Sequence, residues 1–153
     1  MSATKDEALM RRALALARVA AGTTAANPPV GCVIVAGGRT VGEGATGAGG
    51  RAHAEERALD VAGDEALGVT AYVTMEPCGA RSSGWASCAD RLAAAGVARV
   101  VYAADNPHPL SAGAGPGRLR AAGVAVEGGL LASEAAPLYA GFLAALKSAS
   151  DLA

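Results

Sequence analysis

Short buried strands alternating with amphipathic helices predict an α/β protein. The expected fold is a three-layer α/β/α sandwich around a five-stranded, mostly parallel mixed sheet. Three observations carry this. VGCVIV (30–35), VTAYVTM (69–75) and ARVVYAA (98–104) are apolar runs of strand length, each closed by glycine, proline or a polar residue. KDEALMRRALALARVAAG (5–22) and EAAPLYAGFLAALKSA (134–149) repeat their apolar residues at helical spacing. A helical stretch, GRLRAAGV (117–124), separates ARVVYAA from VAVEGG (124–129). A right-handed crossover through it makes the last two strands parallel.

The remaining elements follow in order. The first helix has its acids early and arginines later, as the helix dipole favours. TTAANPP (23–29) breaks it. RTVGEGA (39–45) follows the Gly37-Gly38 pair and reads as the hairpin partner of VGCVIV. HAEERALDVAG (53–63) and ASCADRLAAAGV (86–97) read as helices, the second with a glycine terminator. With 153 residues and no internal repeat or linker, residues 1–153 read as a single domain.

Composition narrows the function. The chain is 52% apolar but only 3% aromatic, so alanine, valine and leucine build its core. Its net charge of -1 and lack of a basic run argue against a nucleic-acid partner. No apolar stretch suits a bilayer span and the first ten residues lack a secretory core, which gives a cytoplasmic expectation. Three cysteines in such a chain point to metal or catalysis ahead of disulfides.

His53 and Glu55 pose a geometric question. Residues two apart on a helix face nearly opposite sides, so they serve one site only if it lies off the helix's N-terminal end. Downstream, TMEPCGARSSGWASC (74–88) places Cys78 just past a strand and Cys88 at a helix head. His53, Cys78 and Cys88 then make one nitrogen and two sulfur ligands for zinc, with a fourth position open to water. Helix N-termini favour the thiolate forms. Glu55 is left as a proton shuttle. Singly, a His-x-Glu at a helix start is a capping or solvated pair, and a cysteine is a small core residue. Cys32, inside VGCVIV, reads as plain core.

His-x-Glu followed by Pro-Cys and a second Cys is the signature of zinc nucleobase deaminases. The chain resembles the cytidine-deaminase-like superfamily, and within it the deaminase domain of the bifunctional riboflavin-biosynthesis deaminase–reductases. The resemblance spans roughly residues 8–145 and rests on NPPVGCVIV, VGEG with HAEERAL, YVTMEPCG and NPHPLSAGAGPGRLRAAGVAV. It implies a stand-alone deaminase without a reductase domain, with catalytic Glu55, zinc on His53, Cys78 and Cys88, and Asn27 on the substrate. It further implies that backbone at Ala54 and Cys78 orients the ring, and that the chain forms a homodimer or higher homo-oligomer.

The likeness breaks in the substrate shell. Thr46 stands where the family usually has histidine. The loop between the cysteines carries Ala80, Arg81 and Trp85 in place of a histidine and a basic residue. Asn106, Pro107, His108 and Pro109 replace Asp-Pro-Asn-Pro. Arg81 reads as a phosphate or carboxylate contact or an exposed arginine, Trp85 as a stacking platform or a cover for a helix start, and His108 as a substrate contact or an exposed loop residue. The expected function is therefore zinc-dependent hydrolytic deamination of an amino-substituted pyrimidine or related heterocycle, with an altered substrate that points to a specialised pathway. The alternatives are the true riboflavin-pathway deaminase, a nucleoside, guanine or tRNA adenosine deaminase, and a silent binding module.

Overall fold

The computed structural model describes residues 2–24, 27–79, 86–107 and 113–152. Five strands, β1 (Gly31–Ala36), β2 (Arg39–Ala45), β3 (Thr70–Met75), β4 (Arg99–Ala104) and β5 (Ala125–Glu127), form one sheet in the order β2-β1-β3-β4-β5. β1 is antiparallel to both its neighbours, while β3, β4 and β5 are parallel. Four strands therefore point one way and β1 opposes them. Five helices cover the sheet: α1 (Ser2–Ala20), α2 (Ala54–Ala62), α3 (Cys88–Ala94), α4 (Ala114–Ala121) and α5 (Ala132–Leu152).

Both faces are dry, which explains why the strands read as continuous apolar runs instead of alternating ones. Cys32, Ile34, Ala71, Val73 and Val100 face α2, α3 and α4, where Leu92 and Leu119 are fully buried. Val33, Val35, Tyr72 and Val101 face α1 and α5, against Met10, Leu14 and Tyr139. Each fully buried leucine or methionine contributes about 1.5–3 kcal/mol of transfer free energy.

The β1–β2 hairpin turns on Gly37 and Gly38, whose φ values of 55° and 82° suit the tight turn that matches strand twist. β2 then sets the height of α2. A Cβ at Gly42 would collide with Ala58 and Ala62, and one at Gly44 with Arg57 and Ala58. These glycines let α2 lie directly on the sheet with its buried Ala54, Ala58 and Ala62 stripe inward. The first turn of α2, with His53 and Glu55, is thereby fixed in position.

At the other end of β3 and β4, Arg99 binds Asp6 of α1 (Nη2 to Oδ2, 2.8 Å) and Glu127 of β5 (Nη2 to Oε2, 3.1 Å). Tyr72 donates to Asp6 at 2.6 Å. The arginine's hydrogen bond holds the Asp6 carboxyl below its ordinary range. This network staples α1 to the sheet edge. No described helix is long and apolar enough to cross a membrane.

Candidate metal and catalytic site

The site is built where three elements end. His53 is the N-cap of α2, with extended backbone (φ -70°, ψ 155°), and its N–H donates to Glu56 Oε1 at 3.4 Å. Cys78 follows β3. Cys88 is the first residue of α3, whose N-cap Ser87 accepts from the Asp90 N–H at 3.1 Å. The expected convergence off a helix end is what the chain folds into.

His53 Nδ1 lies 3.2 Å from Cys88 Sγ and 3.9 Å from Cys78 Sγ. All three candidate donor atoms fall within 4.8 Å of one another. Zinc bonds of about 2.1 Å to nitrogen and 2.3 Å to sulfur put tetrahedral donors roughly 3.5 Å apart, so the donor set fits zinc in both chemistry and spacing. The Cys88 N–H donates to Cys78 Sγ at 3.2 Å, which aims the start of α3 at that sulfur. The Cys78 thiol drops to about 4, chiefly because the Cys88 side chain donates to it. The Cys88 thiol rises as the donor of that bond and through burial. The two thiols are shifted in opposite directions, and a cation bound between them requires both as thiolates.

Glu55, the second residue of α2, is only 4% exposed. Its carboxyl is raised to about 7, first by burial and then by the charge on Cys78, with His53 opposing the rise. A cation among the three donors favours the ionised form and so opposes that rise. Glu55 adjoins this group in the chain but is not among its three donors.

The substrate shell is only partly described. Ala54 is buried at the head of α2. Asn27 is exposed, and its Nδ2 donates to Gly50 O at 2.9 Å, tying it to the 3-10 turn at Ala48–Gly50. Asn106 is half-buried just past β4, with its N–H on Glu76 Oε2 at 3.1 Å. Ala80, Arg81, Trp85 and His108 lie outside the described residues. Thr46 is buried, and its hydroxyl accepts from the Val30 N–H at 2.9 Å and donates to Pro28 O at 3.2 Å. It is bound into the backbone of the Asn27 segment.

Sequence reasoning missed two groups here. Tyr139 of α5 donates to Pro29 O at 2.9 Å and lies 2.6 Å from Thr74 Oγ1, which accepts from the Gly31 N–H at 3.0 Å. The tyrosine proton is committed to Pro29, so Thr74 must donate to Tyr139. The chain of bonds then runs from Gly31 N through Thr74 and Tyr139 to Pro29 O. The second group is Glu76, buried between β3 and Cys78. A charged residue at the end of an apolar strand was the available signal for it.

A buried carboxylate beside one imidazole and two thiols, at the end of parallel strands, is the arrangement of the zinc-dependent hydrolytic deaminases. Residues 3–104 match the cytidine and deoxycytidylate deaminase zinc-binding region, and the chain belongs to that family. It is 49% identical over 144 residues to the riboflavin biosynthesis protein RibD of Escherichia coli, covering 94% of this chain and 39% of that protein. It is 38% identical to the diaminohydroxyphosphoribosylamino-pyrimidine deaminase of Buchnera aphidicola subsp. Schizaphis graminum, covering 94% of this chain and 97% of that one. The fold superposes on Acinetobacter baumannii RibD with a TM-score of 0.89 at 43% identity, over 95% of this chain and 41% of that one. The chain thus spans about two fifths of the RibD proteins it matches.

Proposed function

We propose that residues 1–153 form a single deaminase domain acting on the phosphoribosyl diaminohydroxypyrimidine of riboflavin synthesis, exchanging a ring amino group for oxygen and releasing ammonia. The observation that carries the substrate is the nearly end-to-end match with the Buchnera deaminase. This places the riboflavin alternative of the sequence reading ahead of the changed substrate and specialised pathway that led it.

His53 Nδ1, Cys78 Sγ and Cys88 Sγ would hold the zinc. When bound, it supplies a Lewis acid that makes water acidic enough to react near neutral pH. Glu55 takes one proton from the attacking water and delivers it to a ring nitrogen; it then takes the second from the hydroxyl now on the tetrahedral ring carbon and delivers it to the departing amine, which leaves as ammonia while the ring carbonyl forms. Its buried position excludes bulk water from those transfers. Backbone at Ala54 and Cys78 orients the ring. Asn27, Asn106, Arg81, Trp85 and His108 are the proposed contacts to the rest of the substrate. The domain works as a homodimer or larger homo-oligomer, which light scattering measures directly.

A second reading keeps a different heterocycle. The Thr46 hydroxyl, standing where the family usually has a histidine, is engaged by Pro28 and Val30 instead of facing a ligand. Ammonia release separates the two, measured on the phosphoribosyl pyrimidine, nucleosides and free aminopyrimidines, together with rescue of a strain lacking the riboflavin deaminase. Fast turnover of the phosphoribosyl compound with rescue supports the first reading. Turnover confined to another heterocycle supports the second.

A further inference from the structure

Glu76 is 4% exposed. Its Oε1 accepts from the Gly113 N–H at 2.6 Å and its Oε2 from the Asn106 N–H at 3.1 Å. Gly113 is the N-cap of α4, so one oxygen sits on the positive end of that helix. The other holds the backbone of Asn106. One carboxylate therefore holds both Asn106, one of the proposed substrate contacts, and the head of α4. It does so two residues before Cys78 in the chain.

The surrounding backbone makes the same connection. The Glu76 N–H donates to Ala104 O at 2.8 Å, extending the β3–β4 pairing by one step toward the metal loop. A Cβ at Gly115 would overlap the Pro77 carbonyl, and one at Gly79 would overlap Ala114 and Gly115. The start of α4 is thus pressed against the loop that presents Cys78, with room only for glycine. Burying a carboxylate is costly, and hydrogen bonds to charged groups recover part of that cost. A neutral, apolar residue would hold this strand end with less penalty. What the carboxylate uniquely provides is two acceptors spaced to receive two amides seven residues apart.

We propose that Glu76 is a positioning residue for substrate recognition: it holds the Asn106 backbone and the start of α4 against the loop that presents Cys78, so that the distance from reacting ring to Asn106 is fixed. This rests on the proposed reading of Asn106 as a substrate contact. It assigns Glu76 no bond to metal or substrate and no proton transfer.

The test is Glu76→Gln, with Glu76→Asp as the second variant. The amide keeps one acceptor and turns an NH2 group toward the other N–H, so one end of the segment is released. Steady-state kinetics use whichever aminopyrimidine the parent enzyme deaminates. We expect KM to rise about tenfold, the equivalent of one lost hydrogen bond to a charged group. Zinc content and kcat per bound zinc should stay close to the parent's. Glu76→Asp, with its shorter reach, should show the same split at smaller size. Amide hydrogen exchange is the readout independent of turnover: the Asn106 and Gly113 amides should be protected in the parent and exchange faster in both variants.

If exchange accelerates while the parent fails to deaminate the phosphoribosyl compound, Glu76 stands and the proposed substrate falls. Unchanged KM in both variants overturns the positioning role. So does unaltered exchange at both amides, a fall in kcat without a rise in KM, or a loss of folding that Glu76→Asp does not cure.

Discussion

His53, Cys78 and Cys88 sit at the first turns of helices and the end of a strand, whereas Asn27 and Asn106 sit in the segments between elements. The difference is in what holds each group. The donor residues inherit their positions from packing: α2 on the glycines of β2, and α3 through its Ser87 cap. The shell residues depend on particular hydrogen bonds from outside, namely Asn27 on Gly50, Pro29 on Tyr139, and Asn106 on Glu76. A site built this way keeps its chemistry when its reading loops change. Damage at the donor end should therefore abolish activity, while damage to the supports should alter affinity.

The largest expected effect is loss of a donor. Cys88→Ala removes one of the three proposed zinc donors. The parent should carry about one zinc per chain, and the purified variant should fall well below that. Deamination should fall to background. Elemental analysis of folded protein checks this; full zinc in Cys88→Ala would remove Cys88 from the donor set.

Glu55→Gln should come next. The amide occupies the same buried space but cannot take up or release a proton, so zinc and fold should persist while proton transfer is lost. General acid–base groups contribute about 10²–10⁴-fold, and a group handling several transfers belongs at the upper end. Near-parental turnover in a zinc-loaded Glu55→Gln protein would contradict its role. Together these two variants divide the donor end into binding and proton transfer.

Tyr139→Phe moves to the supports. It leaves the Thr74 hydroxyl without its acceptor and Pro29 O without its donor, each at a cost of about 1–3 kcal/mol where burial is complete. The stability loss should appear as a lower Tm. Because the released backbone leads into Asn27, KM should rise while zinc content holds. Loss of zinc in Tyr139→Phe would mean that donors and supports are coupled more tightly than their separate attachments imply.

The sequence carried the donor end and the fold well, for a physical reason. Helix starts, strand ends and glycine turns are local, so the convergence of His53, Cys78 and Cys88 at one end of the sheet could be expected from neighbours in the chain. Even the parallel pairing of β4 and β5 followed from one crossover. The supports were not legible because each is a long-range bond: Tyr139 reaches Pro29 across 110 positions, and Gly113 reaches Glu76 across 37. Thr46 shows the same limit. Its identity suggested a changed contact to substrate, yet only the fold reveals that its hydroxyl is bound to Pro28 and Val30.

The smallest effect is expected at the third cysteine. Cys32 has the same thiol as Cys78 and Cys88 but lies within β1, paired with Val73 of β3 and Gly44 of β2, and is fully buried. Burial raises its thiol well above the ordinary range, with the nearby Glu55 charge acting in the same direction. A neutral thiol packed among Ile34, Ala58 and Val73 is a core atom, and it neither binds metal nor reacts readily. Cys32→Ala removes that atom and leaves a small gap. The cost should be about 1 kcal/mol, the scale of deleting one buried methylene. For a chain of this size that lowers Tm by roughly 2–4 °C. Zinc content should equal the parent's, and turnover should stay close to it because Glu55 keeps its helix and the three donors beside it. Thermal unfolding and elemental analysis on the same preparation decide the matter. A Cys32→Ala protein that lost zinc would show that position within the element does not separate core sulfur from ligand sulfur here, and would break the comparison between the two kinds of cysteine.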